Sequence, residues 1–166
     1  PRDLRLEIGF REGFTYPGVV PPGRGPSSPG HRFSSLDAVP GPLGPVDLSR
    51  LPLDGPSEDV LLLTGVSGPL LAHFADDDTL VTLDWDRSAL PSMLLWISDR
   101  ALADPPWNER YRGVGVEPLA AAFDLPPSVS IAPNPLSAAG VPTAVDLAPG
   151  APLTIASSIV VSSELP

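Results

Sequence analysis

Prolines and glycines are spread between the short apolar runs along most of this chain. There are 24 prolines and 15 glycines in 166 residues. A proline inside a helix removes a hydrogen bond and clashes with the preceding turn. The expectation is therefore many short extended pieces joined by turns rather than long helices. Its length is that of one domain, enough to bury a real core.

Several pieces alternate cleanly between apolar and polar residues, the period of a half-buried strand. In residues 4–10, Leu4, Leu6, Ile8 and Phe10 share one face. In residues 79–86, Val81, Leu83 and Trp85 point in while Thr82, Asp84 and Asp86 point out. Residues 17–32 and 125–152 read as loops by composition. Residues 33–57 read as loosely extended chain with one helical turn near Val46 to Arg50. The run DVLLLTGV from Asp59 and the run PLLAHF after Gly68 read as two strands of one hairpin. Residues 153–163, LTIASSIVVSS, read as a last strand with a bulge or bend at Ala-Ser-Ser. The expectation is an all-β chain, an antiparallel β-sandwich in a single domain over 1–166. Val81, Leu83, Trp85, Leu94, Trp96, Val114, Val116, Ile155 and Ile159 are expected in one core.

The formal net charge is −10, which argues against nucleic acid and against an anionic membrane surface. No run reaches the roughly 18 apolar residues of a membrane-crossing helix. No charged-then-apolar leader is present, and the expected location is cytoplasmic. There is no cysteine, hence no disulfide framework or thiolate metal site. Asp76-Asp77-Asp78 are adjacent rather than alternately spaced and read as a solvated turn, not a calcium loop. His31, in a loop, reads as solvated. No phosphate-binding glycine loop, zinc helix or nucleophile elbow is present.

Polar and aromatic residues gather instead in Pro91 to Asp124, PSMLLWISDRALADPPWNERYRGVGVEPLAAAFD. An apolar run leads into a loop carrying Trp107, Asn108, Arg110 and Tyr111, which closes on Gly113-Val114-Gly115-Val116-Glu117. Alternation places Val114 and Val116 on the core side and Gly113, Gly115 and Glu117 on the other. Glycine in a strand often marks close approach of a ligand or another backbone. The two glycines are expected to leave a shallow recess ending at Glu117. A solvated Glu on an ordinary strand is the plainer alternative. Carboxylates and guanidinium groups hydrogen-bond hydroxyl pairs, and a Trp face covers the apolar side of a sugar ring, so the mix suits a neutral polyhydroxylated ligand.

LPSMLLWISDR followed by PPWNERYRGVGVEPLAAAFD resembles the C-terminal half of the galactose mutarotase-like (aldose 1-epimerase) proteins. VDLAPGAPLTIASSIVVS and SEDVLLLTG resemble their later and earlier segments, so the likeness spans roughly residues 45–163. It implies a galactose mutarotase-like supersandwich with a sugar cleft on a concave face. Glu117 then matches the general base and Asp59 the residue that holds a ring hydroxyl, with Trp107, Asn108 and Arg110 as further sugar contacts. The implied reaction interconverts the α and β anomers of an aldose. A base takes the C1 hydroxyl proton, an acid protonates the ring oxygen, and the opened chain rotates and recloses. It needs neither metal nor organic cofactor. The family's acid is a histidine followed by Pro or Ser and an aromatic. His31 precedes Arg-Phe and His73 precedes Phe-Ala, so neither fits. With Pro1 first and Met93 the only methionine, the expectation is an incomplete portion of the full fold. A non-catalytic carbohydrate-binding member of the same fold is the alternative, and an interaction domain without a sugar site is the third reading.

Overall fold

A computed structural model describes residues 3–163. It is an antiparallel β-sandwich. The strands are β1 (Leu4–Glu7), β2 (Glu12–Thr15), β3 (Arg32–Phe33), β4 (Val39–Gly41), β5 (Gly44–Val46), β6 (Arg50–Leu51), β7 (Ser57–Thr64), β8 (Leu70–Phe74), β9 (Thr79–Trp85), β10 (Ser92–Asp99), β11 (Arg112–Leu119) and β12 (Ser157–Ser162). Two short helices, α1 (Pro127–Ile131) and α2 (Pro135–Ala138), lie between β11 and β12. The first sheet runs β12-β9-β8-β1-β6 and the second β11-β10-β7-β2-β3, with β4 and β5 a separate hairpin. Among the described residues no helix is long and apolar enough to cross a membrane.

β7 and β8 do not form a hairpin together. They belong to opposite sheets: β7 pairs with β10 and β2, β8 with β1 and β9. The linker between them crosses the sandwich. Gly65 takes a left-handed conformation at φ 62°, open to glycine without strain, and Val66 is buried in the core. Apolar character is the same for two paired strands as for two strands facing each other across a core. Composition alone does not separate those arrangements.

The inner core lies between the sheets and contains Leu4, Leu6, Leu61, Leu63, Leu95, Ile97 and Trp85, with Val81, Leu83, Val114 and Val116 packed against it. A second core sits on the outer face of the second sheet. Val60, Leu62 and Leu94 are covered there by Ala122, Phe123, Leu136 and Val141, with Trp96 packed at its margin. The expected single core is thus two, with Leu94 and Trp96 in the outer one. The covering segment is pinned by polar side chains. Asn134 Oδ1 accepts from the N–H groups of Leu136 and Ser137, capping α2, a favoured role for Asn. Ala122 N–H donates to Ser130 Oγ at 3.0 Å, and Thr143 Oγ1 donates to Ser130 O at 2.7 Å.

Three local expectations change. The helical turn in residues 33–57 falls at Leu36–Ala38 rather than near Val46. β12 begins only at Ser157 and pairs with β9 in unbroken register, Ser157 with Trp85 through Ser162 with Leu80, so no bulge interrupts it. Ile155 precedes the strand and is exposed, and Ile159 is 70% exposed. β12 is an edge strand with little packed over either face, which alternation in its sequence could not reveal. The acidic turn before β9 is exposed, with Asp78 left-handed at φ 48°.

Candidate functional site

Register fixes which side chains share the outer face of the second sheet. Across β7, β10 and β11 the rows are Glu58–Ser98–Gly113, Val60–Trp96–Gly115 and Leu62–Leu94–Glu117. The covering segment takes the Leu62–Leu94 end. The remaining end carries Glu58, Ser98, Trp96 and the side chains that lean over the two glycines.

Glu58 is buried, at 2% exposure. One carboxylate oxygen accepts from Trp96 Nε1–H and the other from the Ser98 hydroxyl at 2.7 Å. A buried carboxylate is retained only where such donors replace water. Trp96 stacks on Tyr111, with ring centroids 5.8 Å apart and planes at 27°. Tyr111 in turn meets Trp107, at 4.7 Å and 55°. The three rings form a ladder from the buried acid to the surface, where Trp107 is 37% exposed.

The glycines serve this ladder. A Cβ on Gly113 would lie 2.5 Å from Tyr111 Oη, and one on Gly115 would lie 3.2 Å from Trp96 Cβ and Cε3. The space above them is therefore filled by rings, and the expected recess is a seat for Tyr111 and Trp96. Glu117 is exposed and leans back along the strand. Its Oε1 lies 3.1 Å from the same point above Gly115, so its carboxylate borders Trp96 on the side away from Glu58.

The loop from β10 to β11 is held at its base by Arg100 N–H donating to Tyr111 O at 2.8 Å. Its tip turns through Trp107 N–H to Asp104 O and Arg110 N–H to Trp107 O, with Asn108 and Glu109 left-handed at φ 48° and 56°. Asn108 and Arg110 are exposed on this tip, and Asn108 Nδ2 donates to Pro106 O. Arg24 of the loop after β2 pairs with Glu109 at 3.6 Å, bringing a second loop to the same rim.

Asp59 stands apart from this group. It pairs in register with Ile97, and Ile97 with Val114, three residues from Glu117. An odd offset puts the two carboxylates on opposite faces of the sheet. Asp59 Oδ1 accepts from Ser27 Oγ at 2.8 Å and from Val60 N–H, and Oδ2 accepts from Ser27 N–H at 2.9 Å. Burial raises its pKa above the ordinary carboxylate value, opposed by the Ser27 and Val60 hydrogen bonds and reinforced by the charge of Glu58. Its visible work is to fasten the 17–31 loop to β7. Of the residues singled out from sequence, Trp107 forms the outer rung of the ring ladder, Glu117 borders it, Asn108 and Arg110 sit on its loop, and Asp59 is not joined to it. Sequence reading passed over Glu58, Ser98 and Trp96 as site residues. The available signal was parity, because counting by twos from Glu58 along β7 reaches Val60 and Leu62, opposite Trp96 and Leu94.

Neither histidine adjoins Glu117. His73 is on β8 in the other sheet, its Nε2 3.8 Å from Glu7. Its neighbours Ala72 and Phe74 face inward, so His73 faces outward, with the whole sandwich between it and Glu117. His31 Nδ1 bonds Pro29 O beside β3, at the opposite edge of the second sheet from β11. Among the described residues no three acidic or histidine side chains converge to hold a metal ion. Comparison with known protein families, with curated proteins and with solved structures found no match.

Proposed function

We propose that this chain is a non-catalytic carbohydrate-binding β-sandwich of the galactose mutarotase-like type, with its sugar site on the outer face of the second sheet. The observation that carries the reading is the Trp107–Tyr111–Trp96 ladder, exposed at one end, bordered by Glu117 and ending on the buried Glu58. A ring face offers the apolar side of a pyranose its match, while Glu117, Asn108 and Arg110 offer acceptors and donors for hydroxyls. Anomer interconversion needs an acid across the sugar from Glu117, and both histidines lie elsewhere. That favours binding over turnover.

The test is titration with monosaccharides and short oligosaccharides, followed by tryptophan fluorescence and calorimetry. Trp107→Ala should weaken binding by at least about 10-fold, as loss of an aromatic anchor does, with the fold kept. Polarimetry of freshly dissolved α-aldose should decay at the buffer rate. A faster decay that Glu117→Gln slows by about 100-fold would restore the epimerase reading. No sugar binding at all would leave an interaction domain.

A further inference from the structure

The two sheets part along one side of the sandwich. Between β11 and the inner face of the first sheet, from β12 across to β6, lies a cavity of about 500 Å³ whose walls include Leu6, Leu51, Phe74, Leu83, Val114 and Val116. Packed interiors rarely leave voids larger than a water molecule, and pockets for small ligands run from about 300 to 1,000 Å³. Phe74, Leu83, Val114 and Val116 are only half-buried around it, so the space opens to solvent and offers an apolar guest a surface to cover. This space is on the inner face of the second sheet, separate from the ring ladder on its outer face.

One end of the cavity is polar. Asp99 and Arg112 line it, across from each other in the β10–β11 ladder. Asp99 is buried; its Oδ1 accepts from Arg100 Nε at 2.8 Å and forms an ion pair with Arg112, whose Nε lies 3.1 Å away, while Oδ2 accepts from Leu53 N–H at 3.2 Å. Two guanidinium groups thus share one carboxylate. Among the described residues neither arginine has another ion-pair partner, so the three groups together carry one net positive charge, and Arg112 is the guanidinium among them that lines the cavity. Arg112 is about one-third exposed and holds further N–H donors in a fork suited to a carboxylate. In a chain of net charge −10, a local positive surplus against an aliphatic chamber is selective.

We propose that this cavity binds an aliphatic carboxylate, a fatty acid, with its chain between the sheets and its head on Arg112. Van der Waals contact and water release hold the chain, and charge-assisted hydrogen bonds from Arg112 orient the head. The experiment is titration of the chain with dodecanoate by calorimetry and native mass spectrometry, with dodecan-1-ol and dodecylammonium in parallel. One dodecanoate per chain is expected, bound at least about 10-fold tighter than the alcohol, the scale of a hydrogen bond to a charged group, with dodecylammonium weakest. Arg112→Ala should erase that preference and Arg112→Lys should keep most of it. Val114→Phe should narrow the chamber and weaken binding of all three while circular dichroism stays unchanged. The comparison of the three heads on the unaltered chain needs no variant to fold. Failure to bind dodecanoate, equal affinity for the alcohol, or a cleft closed by a concentration-dependent dimer that excludes dodecanoate would each overturn the proposal.

Discussion

The two sheets are built from similar residues and used differently. In the second sheet, β7 and β10 lie in the middle and are covered on both faces. Every residue of β7 is buried, and of β10 only Trp96 is partly exposed. In the first sheet, β8 mixes buried with half-exposed positions, β9 is half-exposed along most of its length, and β12 is exposed along almost its whole length. A strand covered on both faces reads as a continuous apolar run, and one covered on a single face alternates. The contrast locates the site. Only a sheet with a second core on its outer face can hold a buried acid and a ring stack there without exposing its backbone.

The largest expected effect tests that inequality directly. Leu95, with no exposed surface on the inner face of β10, should cost about 2–5 kcal/mol when cut to Ala, as buried leucines do. Leu83 of β9 is half-buried and faces the cavity between the sheets. Leu83→Ala should cost less than Leu95→Ala, because its side chain already lacks neighbours on one side. Urea unfolding at matched conditions gives both numbers, and equal losses would mean that the two sheets are packed alike.

The same contrast explains what was legible. Alternation announced β9 and the inward placing of Val81, Leu83, Trp85, Val114 and Val116 from sequence alone. That the chain is an all-β antiparallel sandwich followed from its prolines and short apolar runs. The unalternating runs of β7 and β10 carry no face label, so nothing in the residues sets Glu58 on the site face, and Asp59 enters only through the family resemblance. Choosing between them takes the register with Trp96, a contact 38 residues away. Ile155 and Ile159 were assigned to the core because strand propensity says nothing about whether another layer lies above the strand. The aromatic content of the 100–111 loop was plain, but the glycines' partners were not. A glycine opposite a tryptophan and beneath a tyrosine looks in sequence like one left open for a ligand.

Glu58 offers the next effect in size. Glu58→Ala leaves the Trp96 indole N–H and the Ser98 hydroxyl without their acceptor, at about 1–3 kcal/mol for each buried group left unsatisfied. Glu58→Gln keeps an acceptor and should lose less. Both variants should shift tryptophan emission, since Trp96 loses its partner at the nitrogen. Stability and emission unchanged in Glu58→Ala would show that the outer face of the second sheet is no more specified than that of the first.

Asp59 gives a dependence on pH. Burial lifts its folded-state pKa above the ordinary value, so the folded chain holds this proton more tightly than the unfolded chain. Its contribution is fully present below the ordinary carboxylate range and is lost as pH rises through the raised folded value. Asp59→Asn removes the titration and keeps one acceptor for Ser27 or Val60. The stability of the Asn variant relative to the unaltered chain should therefore rise across that window and level off above it. Urea midpoints at a series of acidic pH values measure this, and a difference that stays flat with pH would place Asp59 in a better-hydrated setting than its hydrogen bonds indicate.

The smallest effect comes from one substitution made twice. Val60 lies at the centre of β7, 7% exposed, against Leu62 and Leu94 in the outer core. Val160 lies in β12, 56% exposed, paired with Thr82. Thr keeps the branched side chain and its strand preference, so Val→Thr changes little except one methyl for one hydroxyl. At Val60 that hydroxyl enters an apolar layer, and an unpartnered one there costs about 1–3 kcal/mol. At Val160 it meets water, and the change should stay within about 0.5 kcal/mol. The edge position adds a second readout. An apolar strand with an unpaired edge invites pairing with other chains, so Val160→Thr should also lower light scattering at high concentration, while Val60→Thr should raise it by populating opened chains. Equal stability losses at the two positions would mean that β12 is covered in solution, and the difference between the sheets would then lie in what covers them rather than in how they are built.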